Sequence, residues 1–355
     1  MSEVVKIGNV EARRGEKKVG FLVAGETAVT NVSIPVAVIN GIKPGSTLCV
    51  SAGVHGCEYT SIEAVIRMIR QTDPMKLNGT LLAVPVLNMA GFETRGPSGG
   101  ISTPYHSPYD SINPLSAFTD NPRGSIAYQI ASVFMIQIVS KADYYIDCHG
   151  GDINEEMRTV IMLTESGDPD VDKASREVLA ASFDCDYVEI HPRPTRLGGG
   201  TTGAAGRMRK PSMVVEAGGY GQLMEHGVRF LVEGVSNVMK RLKMIEGEPA
   251  PPSRQRICQK WNLYARRGGV CYTVPLGRKV KKGEHVGEVR SIFGELLETI
   301  QSPIDGVVVY RRVPIPVATN DRILGILPDE DMETPFEYSH PSTIMSLAST
   351  TDRIS

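Results

Sequence analysis

The chain has 355 residues, 41% of them hydrophobic, enough to bury a large core in one large domain or two smaller ones. Its 38 Lys and Arg nearly balance 40 Asp and Glu, a formal net charge of -2, which removes the electrostatic case for nucleic acid or an anionic membrane surface. There is no apolar run of roughly 18 residues to span a membrane and no secretory h-region at the start. Six cysteines without a CxxC pair do not make a disulfide framework in so long a chain, so a reducing cytoplasm is the expected compartment.

In chain order, VGFLVAG and VSIPVAVING read as strands joined by turns. TLCVSAGV is a continuous apolar run, the mark of a strand buried on both faces. EAVIRMI has helical spacing and GTLLAVPVLN is a second buried strand, giving a βαβ unit and so an α/β sheet. Residues 92–123 are rich in Gly, Pro and Ser, as in a long functional loop. Residues 125–139 read as an apolar helix, ADYYIDCHGGD and TVIMLTE as strands, and DVDKASREVLAASF as an amphipathic helix. LGGGTTGAAGR reads as a glycine-rich loop, PSMVVEAGG as a strand and residues 225–245 as a closing helix.

EGEPAPPSRQR is a proline-rich break. We therefore expect a first domain over 1–248, a β-rich module over 256–328 built from short segments such as HVGEVRS and GVVVYRR, and a patternless tail over 329–355. KVKKGEHVGEVRS followed by IQSPIDGVVVYRR resembles a biotinyl/lipoyl-like hairpin. The turn region FGELLET holds no lysine, so the likeness extends to the fold and not to carrier function.

The chemistry concentrates at strand ends. His55 and Glu58 follow the buried run, three residues apart, where a strand stops and a helix begins. Two plain readings are surface residues or a helix cap. The third is a metal site, since that spacing lets both side chains converge and Gly56 permits a tight backbone. Hydrolytic zinc is commonly held by two His and one Glu with a position left open. Ligands in open α/β sheets gather at the carboxyl ends of strands, and His149 in YYIDCHGGD ends such a strand. Glu216 in VVEAGG is a lone carboxylate at another strand end, suited to a general base. Asp147 either orients a ligand from outside or caps a loop. Cys57 and Cys148, beside the ligand positions, read first as small buried residues and second as soft ligands or reactive thiols.

AGVHGCE, VPVLNMAGF, DCHGG and VVEAGG together resemble the succinylglutamate desuccinylase/aspartoacylase family of the zinc carboxypeptidase-like superfamily. The resemblance, with the C-terminal β-module, covers most of residues 40–328. It implies a mixed-sheet α/β/α sandwich with one zinc per chain on His55, Glu58 and His149, and Glu216 as base and later acid. The implied activity is hydrolysis of the amide bond of a small N-acylated amino acid or related amine. A homo-oligomer fits members of this fold.

Members carry a stretch like DGxNLNRVFPGDPxGS, to which DSINPLSAFTDNPRGS aligns without a gap; the family's carboxylate-gripping Asn-Arg pair falls on Leu115 and Ser116. Neither can replace a bidentate guanidinium. Arg95 is the expected oxyanion-stabilising residue, with His106 and Arg123 as substitutes. Asn113, His106, Arg123, Arg207 and Tyr220 are the expected substrate contacts, and Arg207 or Arg209 the candidate replacement grip. A carboxypeptidase-like metallopeptidase and a non-catalytic zinc-binding relative are the alternatives. The first also wants the missing arginine; the second sits poorly with an intact ligand set and base.

Overall fold

The computed structural model describes residues 4–94, 106–119, 121–185, 187–194, 198–253, 255–313 and 316–329. A short hairpin of β1 (Val4–Ile7) and β2 (Val10–Arg13) precedes the main sheet. The next strands are β3 (Glu16–Glu26), β4 (Asn31–Asn40), β5 (Lys43–Ala52), β6 (Asn78–Val84), β7 (Tyr144–His149), β8 (Glu155–Met157), β9 (Val160–Thr164), β10 (Tyr187–His191), β11 (Ser212–Glu216) and β12 (Arg256–Ile257). All of them except β8 form one nine-stranded sheet in the order β12-β10-β9-β11-β7-β5-β6-β4-β3. The central neighbours β11, β7, β5 and β6 run parallel, so their carboxyl ends open on one rim. Their buried stretches, such as Leu48–Val50 and Leu81–Val84, are apolar because both faces are covered.

The helices are α1 (Tyr59–Gln71), α2 (Met89–Glu93), α3 (Ile126–Gln137), α4 (Pro169–Ala174), α5 (Gly200–Arg207) and α6 (Glu225–Arg241). On one face of the sheet, Ile62, Val65 and Met68 of α1 meet Val228, Leu231 and Val235 of α6. On the other, Ile130 and Phe134 of α3 and Ala204 and Ala205 of α5 cover Val38, Leu82 and Tyr145. Burying each such aliphatic or aromatic side chain contributes about 1.5–3 kcal/mol. The result is the expected α/β/α sandwich. No helix among the described residues is long and apolar enough to cross a membrane.

Two local readings change. The amphipathic segment after Asp168 is helical to Ser182 but passes through a π turn and ends in a 3₁₀ turn. The stretch read as a glycine-rich loop contains α5. Glycine costs a helix roughly 1 kcal/mol relative to Ala, but here it permits close packing: a Cβ at Gly203 would lie 2.5 Å from the Gly198 carbonyl oxygen.

The C-terminal part comprises β13 (Trp261–Tyr264), β14 (Gly269–Thr273), β15 (Lys279–Val280), β16 (His285–Arg290), β17 (Leu296–Gln301), β18 (Gly306–Arg312), β19 (Pro316–Val317) and β20 (Arg322–Pro328). Two small antiparallel sheets enclose Val286, Val289, Ile300, Val308, Ile323 and Ile326. Two ladders tie this part to the rest. β12 pairs with β10 in the main sheet, and β8 pairs with β18. Val160, Tyr187, Cys258, Val309 and Leu327 seal the seam.

Candidate metal centre and its surroundings

β5 ends at Ala52, and the chain turns through Gly53, whose φ is +65°. Gly56 lies against Gly91 and Phe92 of α2, where a Cβ would stand 2.2 Å from Phe92 N, so no larger residue fits at position 56. Glu58 occupies the N-cap position of α1, yet its side chain makes no capping bond. Its carboxylate instead lies 2.7 Å from His55 Nδ1 and 3.0 Å from His149 Nδ1, and it accepts a bond from Gly150 N at 3.0 Å. His149 is the last residue of β7 and is carried to the same rim. His55, Glu58 and His149 are 3%, 3% and 1% exposed, so the surface and cap readings both give way to a convergent buried cluster. One ligand atom from each lies within 4.8 Å of the others.

The outer nitrogens are held as well. His149 Nε2 lies 3.0 Å from Asp147 Oδ2, and His55 Nε2 lies 3.3 Å from Asn113 Oδ1. A neutral imidazole has one N–H. If Nε2 uses it outward, Nδ1 presents a lone pair to the Glu58 carboxylate, and a cation among the three groups reconciles them. Two imidazoles and a carboxylate with held outer edges fit a hydrolytic zinc ion. Burial alone would raise the Glu58 carboxyl, but the charges of His149 and His55 outweigh it and hold it well below the usual range. Burial would lower His149, and Glu58 and Asp147 reverse that, holding it well above 6.5.

Asp147 is a hub that the sequence reading left between two roles. Its Oδ1 accepts from Ser51 Oγ at 2.7 Å and its Oδ2 from Thr201 Oγ1 at 2.6 Å. Thr201, on α5, and Ser51, on β5, were not anticipated; only their place beside rim-forming segments pointed to them.

Glu216 ends β11 and stands in register with His149 on β7. Burial pushes its carboxyl up to about 7. His149 pulls the other way, and the nearby Glu58 and Glu155 carboxylates reinforce the rise. Beside it β8, also not anticipated, joins the C-terminal sheets to the turn after Glu216.

The other expected residues scatter. Arg95 lies outside the described residues. Asn113 meets His55 and also accepts from Leu115 N at 3.0 Å. Arg207 donates to the carbonyls of Gly198 and Phe118, both at 2.8 Å, and Arg209 pairs with Asp168 at 2.6 Å. Leu115 packs beside Gly200 at the start of α5, within 3.3 Å of where a Cβ there would sit. Arg123 is exposed. The main-chain oxygen of His106 accepts from Asn88 Nδ2 at 3.2 Å. Tyr220, at φ +58°, accepts from Arg311 through its hydroxyl at 3.2 Å. Cys57 donates to Asp152 Oδ1 at 2.9 Å, and burial, then Asp152, pushes its thiol far up. Burial likewise raises Cys148. All six cysteines are buried and free, so neither neighbour of the cluster has the exposure or acidity of a reactive thiol.

Known proteins resemble this chain in sequence and in fold. Residues 44–242 match the model of the succinylglutamate desuccinylase/aspartoacylase catalytic domain. The chain is 26% identical over 313 residues to an N-alpha-acetyl-L-2,4-diaminobutyric acid deacetylase of Halomonas elongata, covering 85% of this chain and 87% of the relative. A crystal structure of a succinylglutamate desuccinylase/aspartoacylase from Rhodobacter sphaeroides superposes with a TM-score of 0.79 at 22% identity, covering 92% of this chain and 100% of that one. The product-bound ectoine utilization protein EutE (DoeB) from Ruegeria pomeroyi gives 0.78 at 20% identity, covering 91% and 98%. At those identities the two structures speak for the fold.

Proposed function

The chain belongs to the succinylglutamate desuccinylase/aspartoacylase family, and on that footing we propose that it is a zinc-dependent deacylase, cleaving the linear amide C–N bond of a small N-acylated amino acid or related amine. The observation that carries the proposal is the closure of His55, Glu58 and His149 around one point, next to a buried carboxyl on the neighbouring strand. In this reading those three side chains hold the ion and leave a position open. Zinc, when bound there, polarises the amide carbonyl and acidifies water.

The chain's own groups do the rest. Glu216 takes a proton from the attacking water as the C–O bond forms. It returns the proton to the amine nitrogen as the C–N bond breaks, leaving an acid and a free amine. Arg95 is assigned to the charge developing on the carbonyl oxygen. Asp147 and Asn113 keep the two imidazoles oriented.

Substrate choice follows from what stands where the family's Asn-Arg pair would be. Leu115 packs on α5, and Arg207 and Arg209 are tied to carbonyls and to Asp168. We propose a substrate whose grip does not depend on a carboxylate at that position. The Halomonas relative's name makes acetyl the first acyl group to try.

The test is hydrolysis of matched pairs by the zinc-loaded protein: N-acetyl amino acids, and the same compounds with the carboxylate replaced by an amide or by hydrogen. Glu216→Gln is the blank. Faster cleavage of the carboxylate-free partners supports the whole reading. Preference for the free acids keeps the deacylase and overturns the substrate claim. Turnover that survives a chelator, or no turnover of either partner, sinks the zinc deacylase.

A further inference from the structure

β8 is held on both edges. Tyr310, Arg311 and Arg312 of β18 pair with Met157, Glu156 and Glu155. On the opposite side Glu156 bridges to Gly219, and Tyr220 N donates to the Glu155 carbonyl at 2.8 Å. The turn that follows Glu216 is therefore built onto a strand that the β-module holds in place.

Beside Glu216 lies a partly open cavity of about 50 Å³, lined by Glu216, Lys260, Tyr310, Arg322, Met157 and Tyr187 among others. Oε2 of Glu216 is buried and has no hydrogen-bond partner. A buried carboxylate oxygen left so is costly, and the cavity exceeds the roughly 10–15 Å³ that one water needs. Two cations border it. Lys260 Nζ uses two donors on Glu189, both at 2.8 Å, and a lysine has three. Of its five N–H groups Arg322 gives one to Glu155 at 3.2 Å and also bonds Tyr310, its guanidinium 3.8 Å from the centre of that ring. Tyr310 Oη is anchored on the same Glu155 oxygen at 2.9 Å.

We propose that water held in this cavity bridges Glu216 Oε2 to Lys260 and Arg322, making these two residues of the C-terminal part positioning residues for the base. A water-mediated bond is nearly as good as a direct one, and it leaves the other Glu216 oxygen aimed at the reacting water. The C-terminal part thereby orients the base.

This inference rests on the deacylase reading. Its kinetic test uses the zinc-loaded full chain and whichever N-acyl compound it cleaves; its structural test does not depend on turnover. A high-resolution crystal structure should show ordered water within hydrogen-bond distance of Glu216 Oε2 and of Lys260 or Arg322. Arg322→Gln should lower kcat about tenfold at unchanged KM, and Arg322→Lys should restore most of it. Met162→Phe, which fills the cavity and leaves the charges, should reproduce the fall. A dry cavity overturns the proposal, as does an Arg322→Gln enzyme within about twofold of wild type. So does a loss in kcat that tracks the folded fraction and is not rescued by Lys. Absence of wild-type turnover with the water in place faults the deacylase reading instead.

Discussion

The Asp147 carboxylate stands 3.0 Å from Nε2 of His149, so a buried anion grips the outer edge of an imidazole whose inner edge faces Glu58. Replacing Asp147 by Asn keeps the shape and removes the charge. The expected result is a roughly 10- to 100-fold loss of zinc affinity, measured by competition against a chromophoric chelator. Unchanged affinity would mean that Asp147 serves only Ser51 and Thr201.

Glu216→Gln should cut kcat by about 10²- to 10⁴-fold with zinc still bound. The same variant makes a second, opposite prediction about stability. Burial raises the Glu216 carboxyl from 4.5 to about 7 in the folded protein. The unfolded chain therefore ionises first, and wild-type stability falls as pH rises from 4.5 through 7, with the full deficit above 7. Glutamine cannot ionise, so the metal-free variant should be more stable than wild type at pH 8, by about 3 kcal/mol. The gap should close below pH 4.5. Urea titrations of both proteins at the two pH values decide the matter, and a gap independent of pH counts against the buried carboxyl.

Arg207 holds the start of α5 and the segment ending at Phe118 together through two main-chain carbonyls. Arg207→Ala should cost about 1–3 kcal/mol of stability and leave KM unchanged when rates are normalised to folded enzyme. A large rise in KM at unchanged stability would instead make Arg207 the substrate grip that the family's pair supplies elsewhere.

The convergence of His55, His149 and Glu216 at one rim was legible because each closes a largely apolar run: TLCVSAGV before His55, YYIDC before His149, VV before Glu216. A strand buried on both faces cannot hide a histidine or glutamate at its end without giving it a partner. Ser51, Thr201 and β8 were not legible. Their roles come from contacts across 54 to 96 residues of chain for the two hydroxyls, and three residues of β8 carry no periodicity of their own. The helix α5 was missed because its glycines argue against a helix locally, and only the close approach of its neighbours, visible in three dimensions, favours them.

Glu58 begins α1 without capping it, its carboxylate turned away toward two imidazoles. This sets a direction for drift. Under selection for turnover the position is pinned, and the helix goes without a side-chain cap at its first turn. Without that selection the pressure reverses, because Ser, Thr, Asp or Asn there satisfies a donor and adds about 1 kcal/mol. Libraries at position 58 screened for thermal survival alone should return those four residues, and none of their winners should regain catalysis. Lineages that abandon the chemistry would then carry a better-anchored helix as the record of having done so, and the path back would run uphill in stability.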